Sequence, residues 1–183
     1  NGRNDTFVRD RVTGQTTRVS VDSAGVQANG DSGQSYLSAN GRFVVFESFA
    51  TNLVAGDTNG LLDIFCHDRQ TGQTTRVNLG ASGQQAATQS QQCSISADGR
   101  FVTFQSADNN LVPGDICVGT DISLSDRQPG TTVIVSASIL TGQTFTDRQN
   151  ARISADGNTV VFDSRADDLV SNDTNGIGDV FVW

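Results

Sequence analysis

Short apolar runs alternate along this chain with clusters of turn-forming residues. Arg42-Phe-Val-Val-Phe-Glu47 is such a run, bounded by Asn40-Gly41 on one side and Ser48 on the other. Its length suits a strand. Asp63 to Asp68 places Ile64 and Cys66 on one face and Phe65 and His67 on the other, the period of two expected of a strand. A short strand around Tyr36 to Ser38 precedes the first run. Asn-Gly supplies the positive φ of a tight hairpin turn, so these two strands should pair directly. A Gln-Thr-Gly-Gln turn over residues 70–73 then leads to a fourth strand, Thr74 to Asn78. The pattern predicts an all-β unit of four antiparallel strands, and no stretch approaches the roughly 18 consecutive apolar residues of a membrane helix.

That unit recurs. Asp5-Thr-Phe-Val-Arg-Asp-Arg11 returns as Asp63-Ile-Phe-Cys-His-Asp-Arg69 and as Asp121-Ile-Ser-Leu-Ser-Asp-Arg127, and begins again at Asp179-Val-Phe-Val-Trp183, each 58 residues after the last. Ser38-Ala-Asn-Gly41, Ser96-Ala-Asp-Gly99 and Ser154-Ala-Asp-Gly157 keep the same spacing, as do Leu53-Val54, Leu111-Val112 and Leu169-Val170. A single four-stranded sheet leaves apolar faces uncovered and must stack on its neighbours, which is why such units repeat. The expected division is one propeller segment. Residues 1–31 are the third and fourth strands of a preceding blade, 32–89 and 90–147 are blades, and 148–183 are the first three strands of a further blade.

Composition supports this picture. Among 183 residues there are 10 Phe and 19 Gly but only 2 Pro, and the helix formers Lys and Met are absent. The lack of Met implies a processed or trimmed piece. A net charge of −8 argues against nucleic-acid binding through phosphates. It is compatible with divalent cations or a cationic partner. Cys66, Cys93 and Cys117 allow at most one internal disulfide, with Cys66–Cys117 one pairing to consider, and no Cys-x-x-Cys pair suggests zinc.

The run Ile-Ser-Ala-Asp-Gly-Arg-Phe-Val-x-Phe, followed by Asp-Ile-Phe-x-x-Asp-Arg-x-Thr-Gly-x-Thr-Thr-Arg-Val, resembles the repeats of TolB-type, WD40-like β-propellers over essentially the whole chain. The resemblance implies radial stacking with one blade per repeat. It also implies a bacterial, secreted or periplasmic setting and a role in protein interaction. Three units occupy 174 residues, and propellers close with about four to eight blades. The expectation is therefore a portion of a longer propeller, with self-assembly of copies by strand exchange as the alternative.

The turns between strands one and two and between three and four are minimal. The connections Ser48 to Leu62 and Val21 to Ser35, with their equivalents, are long and fall on one face. Loops beyond about 12 residues are usually functional or disordered, so this is the expected binding face. Within it, Asp57-Thr-Asn-Gly-Leu-Leu-Asp63 recurs as Asp173-Thr-Asn-Gly-Ile-Gly-Asp179. Alternating hard oxygens on a tight turn resemble a Ca²⁺ loop, which makes Asp57, Asn59, Asp63, Asp173, Asn175 and Asp179 candidate metal ligands. The simpler reading is an Asx-Gly turn whose Asp caps backbone N–H groups. In the middle unit the pattern decays to Asp115-Ile-Cys-Val-Gly-Thr-Asp121.

No catalytic residue emerges. There is one His, His67, with no nucleophile–base spacing and no Ser-centred elbow. The expected function is a non-catalytic extracytoplasmic scaffold that binds a protein or cell-envelope partner through the long-loop face. The alternatives are a carbohydrate-binding propeller with a glycan partner, a subunit of an extracellular fibre, or the propeller domain of a larger enzyme.

Overall fold

The structure is a computed structural model that describes residues 1–116, 119–138 and 148–183. Every regular element among them is a strand. In chain order these are β1 (Phe7–Arg9), β2 (Thr16–Arg18), β3 (Ser32–Leu37), β4 (Phe43–Ser48), β5 (Asp63–Asp68), β6 (Thr74–Arg76) and β7 (Ser90–Ile95). There follow β8 (Phe101–Ser106), β9 (Asp121–Asp126), β10 (Thr131–Ile134), β11 (Arg148–Ile153), β12 (Val160–Ser164) and β13 (Asp179–Val182). They form four antiparallel meanders: β1-β2, β3-β4-β5-β6, β7-β8-β9-β10 and β11-β12-β13. The sheets are stacked side by side. β7 packs against β3, β4 and β5, and β11 packs against β7, β8 and β9. The first strands β3, β7 and β11 are thus neighbours in series, and the set of sheets is an open part of a propeller.

Alternation within the strands builds the core between sheets. Val45, Ile64 and Cys66 of one sheet meet Cys93, Val102, Phe104 and Leu111 of the next. One unit later Ile122 and Leu124 meet Ala151, Val160, Phe162 and Leu169. On the opposite face of its sheet Phe46 stacks on Phe65, ring centroids 5.9 Å apart. The Asp-Gly turn also joins units. Gly99 has φ +79°, and a Cβ there would lie 2.1 Å from the Phe43 ring of the preceding sheet. The turn glycine is therefore needed twice, for its backbone and for the ring that covers it.

The first strand of each unit is longer than the sequence suggests, Ser32–Leu37 rather than Tyr36 to Ser38. A register shift between Gly33 and Ser35 lets Ser32 and Gly33 pair with Ser48 and Glu47. Shifts at Gln91/Ser94 and Gln149/Arg152 repeat it. The bulge residues Gln34, Gln92 and Asn150 all have positive φ, and none is a glycine to announce the bulge in the sequence. The fourth strand stops at Arg76 instead of Asn78, because Asn78 turns its side chain into the sheet.

Candidate functional site

Both long connections leave the same ends of the strands. Residues 49–62 join β4 to β5, and residues 77–89 join β6 to β7, while the hairpins at the other end are short. Exposed large apolar side chains gather on the long connections. Val26, Phe49, Ile116, Val170 and Ile177 stand there, against Val12 on the short turns, among the described residues. Hydrogen bonds knit the connections together. Asn29 Nδ2 donates to Thr51 Oγ1 at 3.0 Å, and Gln85 Nε2 donates to Thr58 Oγ1 at 2.8 Å.

The Asp-x-Asn-Gly-x-x-Asp loops form turns of one kind. The Asn59 Oδ1 atom accepts the Leu61 N–H at 3.1 Å, and Asn175 Oδ1 accepts the Ile177 N–H at 3.0 Å. Asn1, one unit earlier, does the same for Arg3 at 3.1 Å. The side-chain N–H₂ of Asn59 donates to Ala86 O at 3.1 Å, and that of Asn1 to Ala28 O at 2.7 Å. In the first complete loop Asp57 and Asp63 come together around the Arg76 guanidinium, at 2.9 Å and 3.7 Å. This cation is also anchored by Gln85 Oε1 at 2.8 Å. Burial pushes the Asp63 carboxyl up, while hydrogen bonds from Asn78 and the charge of Arg76 draw it down. In the 173–179 loop Asn175 Nδ2 donates to Asp179 Oδ2 at 2.9 Å. No group of three or more His, Cys, Asp or Glu side chains among the described residues is arranged to hold a metal ion. The middle loop runs through Cys117, which lies outside the described residues, as does any Cys66–Cys117 bridge.

The repeated Asp5, Asp63 and Asp121 fasten the third strand to the chain beyond the fourth. Asp5 accepts from Ser20 Oγ at 2.7 Å, Asp63 from Asn78 Nδ2 at 2.6 Å, and Asp121 from Ser136 Oγ at 3.0 Å. The Asp-Arg pairs hold turns. Asp10 Oδ1 accepts the Val12 N–H at 2.7 Å, and hydrogen bonds of this kind hold its carboxyl below the usual range. Asp68 receives both arms of Arg42, at 2.9 Å and 2.7 Å, and its carboxyl is held far below the usual range by that bond. His67 is buried, with Nδ1 2.9 Å from Thr74 Oγ1, and burial lowers its basicity. Cys66 and Cys93 are buried free thiols. Desolvation pushes Cys66 up to about 11.

Sequence reasoning missed the groups around the bulges. Glu47 is buried and accepts the Gln92 N–H of the next sheet at 2.5 Å, and burial pushes its carboxyl up. The Asn150 N–H is in turn taken by Gln92 Oε1 at 2.8 Å. Close by, the Arg152 guanidinium lies 4.9 Å above the Tyr36 ring and donates to its hydroxyl at 2.7 Å, although 116 residues separate them. Gln34, Ser35, Tyr36, Gln92, Asn150 and Arg152 together line an open polar cleft along the first strands.

Comparison with solved structures places this arrangement. TolB from Acinetobacter baumannii is 18% identical with a TM-score of 0.52, over 98% of this chain and 38% of its own. A putative TolB from Agrobacterium tumefaciens is 17% identical with a TM-score of 0.54, over 93% of this chain and 49% of its own. The fold is that of a TolB-like β-propeller. The tricorn protease also aligns, at 15% identity and a TM-score of 0.54, over 88% of this chain and 13% of its own. The chain thus spans less than half the length of each of these structures. No protein-family model and no curated protein matches the sequence.

Proposed function

We propose that this TolB-like propeller unit is a non-catalytic scaffold outside the cytoplasm that binds a protein or cell-envelope partner on the face built by its long connections. The observation that carries this reading is the gathering of Val26, Phe49, Ile116, Val170 and Ile177 on that face, with only Val12 on the opposite turns among the described residues. Exposed apolar side chains on mutually braced loops give a partner desolvatable contact area at low ordering cost. The short turns offer little such area. The residues bearing the motifs of the repeat, Asp63, Asp68, Asn59 and His67, are occupied with internal bonds, which suits a structural part for them. No helix among the described residues is long and apolar enough to cross a membrane.

The test is site-specific photo-crosslinking in the source cell, with a benzophenone side chain at Phe49, Ile177 or Val12. Adducts of one discrete mass are expected from the first two positions. Adducts from Val12 alone, or equal yields from all three, would reject the long-loop face.

A further inference from the structure

One position of the repeat decides how the outer groove between two sheets is filled. Residues 9, 67, 125 and 183 share a place in the 58-residue period and are Arg9, His67, Ser125 and Trp183. Three of these side chains are large. Ser125 is not.

His67 shows what a ring does there. It lies two residues from Phe65 on the same face of β5, the face that packs on Ala28 of the preceding segment. The imidazole is buried, with Nδ1 2.9 Å from Thr74 Oγ1. That hydroxyl gives its own proton to Val21 O, so its remaining capacity is to accept. The ring therefore supplies the N–H, and Nδ1 is the donor. A planar N–H heterocycle, resting on a threonine acceptor, is thus already part of this junction.

One unit later the acceptor is kept and the ring is not. Ser125 faces Thr132 across the β9–β10 ladder as His67 faces Thr74 across β5–β6. Thr132 Oγ1 again gives its proton away, to Leu79 O at 3.1 Å. Where the ring would stand there is an open groove of about 240 Å³. Thr75, Val77 and Leu79 form one wall, and Ser125, Arg127 and Thr132 form the other. The two sheets that supply these walls each have all four strands, so the groove is a feature of the interior of the series.

Arg127 adds a charge to this groove. Its Nη1 donates to Gly99 O, and the guanidinium lies 4.8 Å over the Phe43 ring of the preceding sheet, which fixes it across the junction. Arg42, Arg76 and Arg100 each meet a carboxylate, whereas Arg127 has none within 4.0 Å among the described residues. We propose that the groove binds a small N–H heteroaromatic carboxylate. The ring takes the place that His67 fills one unit earlier, its N–H donates to Thr132 Oγ1, and its carboxylate pairs with Arg127. Val77 and Leu79 give the ring apolar contact, while the two polar groups set its orientation and its class. The site stands on the outer strands, apart from the long-connection face, and so extends the scaffold reading with a second, small-molecule site.

Three isosteric probes test this by NMR titration of the folded chain. Pyrrole carboxylate should shift the amides of Thr75, Val77 and Thr132 saturably. Furan carboxylate, which lacks the N–H, should bind about fivefold more weakly. Pyrrole carboxamide, which lacks the charge, should bind about tenfold more weakly. Ser125→His installs the ring that β5 carries at this place and should abolish binding while leaving the β-sheet spectrum unchanged. Thr132→Val keeps the shape of the wall and should erase the preference for pyrrole over furan, a ratio that a mere loss of stability does not move. No saturable shift with pyrrole carboxylate at about 10 mM, undiminished binding in Ser125→His, or equal affinities of the wild type for pyrrole and furan carboxylates would each overturn the proposal.

Discussion

At Arg76 a guanidinium that is 4% exposed stands against Asp57, itself 2% exposed, in a loop whose sequence alone suggests cation ligands. A cationic side chain reaches into that loop from the fourth strand. Removing one partner of a buried pair strands the other charge, which typically costs about 3–5 kcal/mol. We expect Arg76→Ala to lose stability of that order in urea unfolding. Arg42→Ala, whose pair with Asp68 is partly open to solvent, should lose about 1 kcal/mol or less. The same comparison reads the calcium question. In the wild type Arg76 already balances the charge of Asp57 and Asp63, so calcium should raise the melting temperature more in Arg76→Ala, where these two carboxylates lose their cation. An equal response in both proteins would show that the 57–63 loop does not answer to charge.

Among the elements, the hairpin turn shows how one motif serves two units. Gly72 and Gly99 have φ of +77° and +79°, so alanine is strained at either. Only at Gly99 would the added methyl meet a ring, that of Phe43, whereas Gly72 faces open space. Left-handed strain alone costs about 1–2 kcal/mol, and overpacking typically adds about 1–3 kcal/mol. Gly99→Ala should therefore lose more stability than Gly72→Ala by roughly the overpacking cost, and equal losses would mean that the ring moves aside freely. This also shows what the sequence made legible. Strand count, turn type and the 58-residue period are local or repeated signals, readable from Asn40-Gly41 and from Asp5, Asp63 and Asp121. The contacts that give the loops and the cleft their character were not, because they join residues with no sequence relation. Arg76 meets Asp57 across a connection, Glu47 meets the Gln92 N–H across a sheet boundary, and Arg152 meets Tyr36 across two units. The bulges escaped for another reason: Gln34, Gln92 and Asn150 adopt positive φ without the glycine that marks such a position.

At the scale of the whole molecule, stability should grade along the series of sheets. In a repeat array each unit is held by its own fold and by the faces it shares with its neighbours. The sheet β3-β4-β5-β6 has Ala28 of the preceding segment against Phe46 and Phe65 on one side and residues of β7 and β8 on the other, and every residue of β5 is buried. Among the described residues the sheet β11-β12-β13 packs against a neighbouring sheet on one side, and β13 keeps exposed residues at Val180 and Val182. Amides that open only with the global fold exchange slowest, and those at an uncovered edge exchange through local opening. Hydrogen exchange should therefore find β4 and β5 most protected and β13 among the least, although β5 and β13 carry the same motif. Equal protection of β5 and β13 would mean that the faces between sheets contribute little. Stability would then reside within each sheet, and the need to stack would no longer explain the repeat.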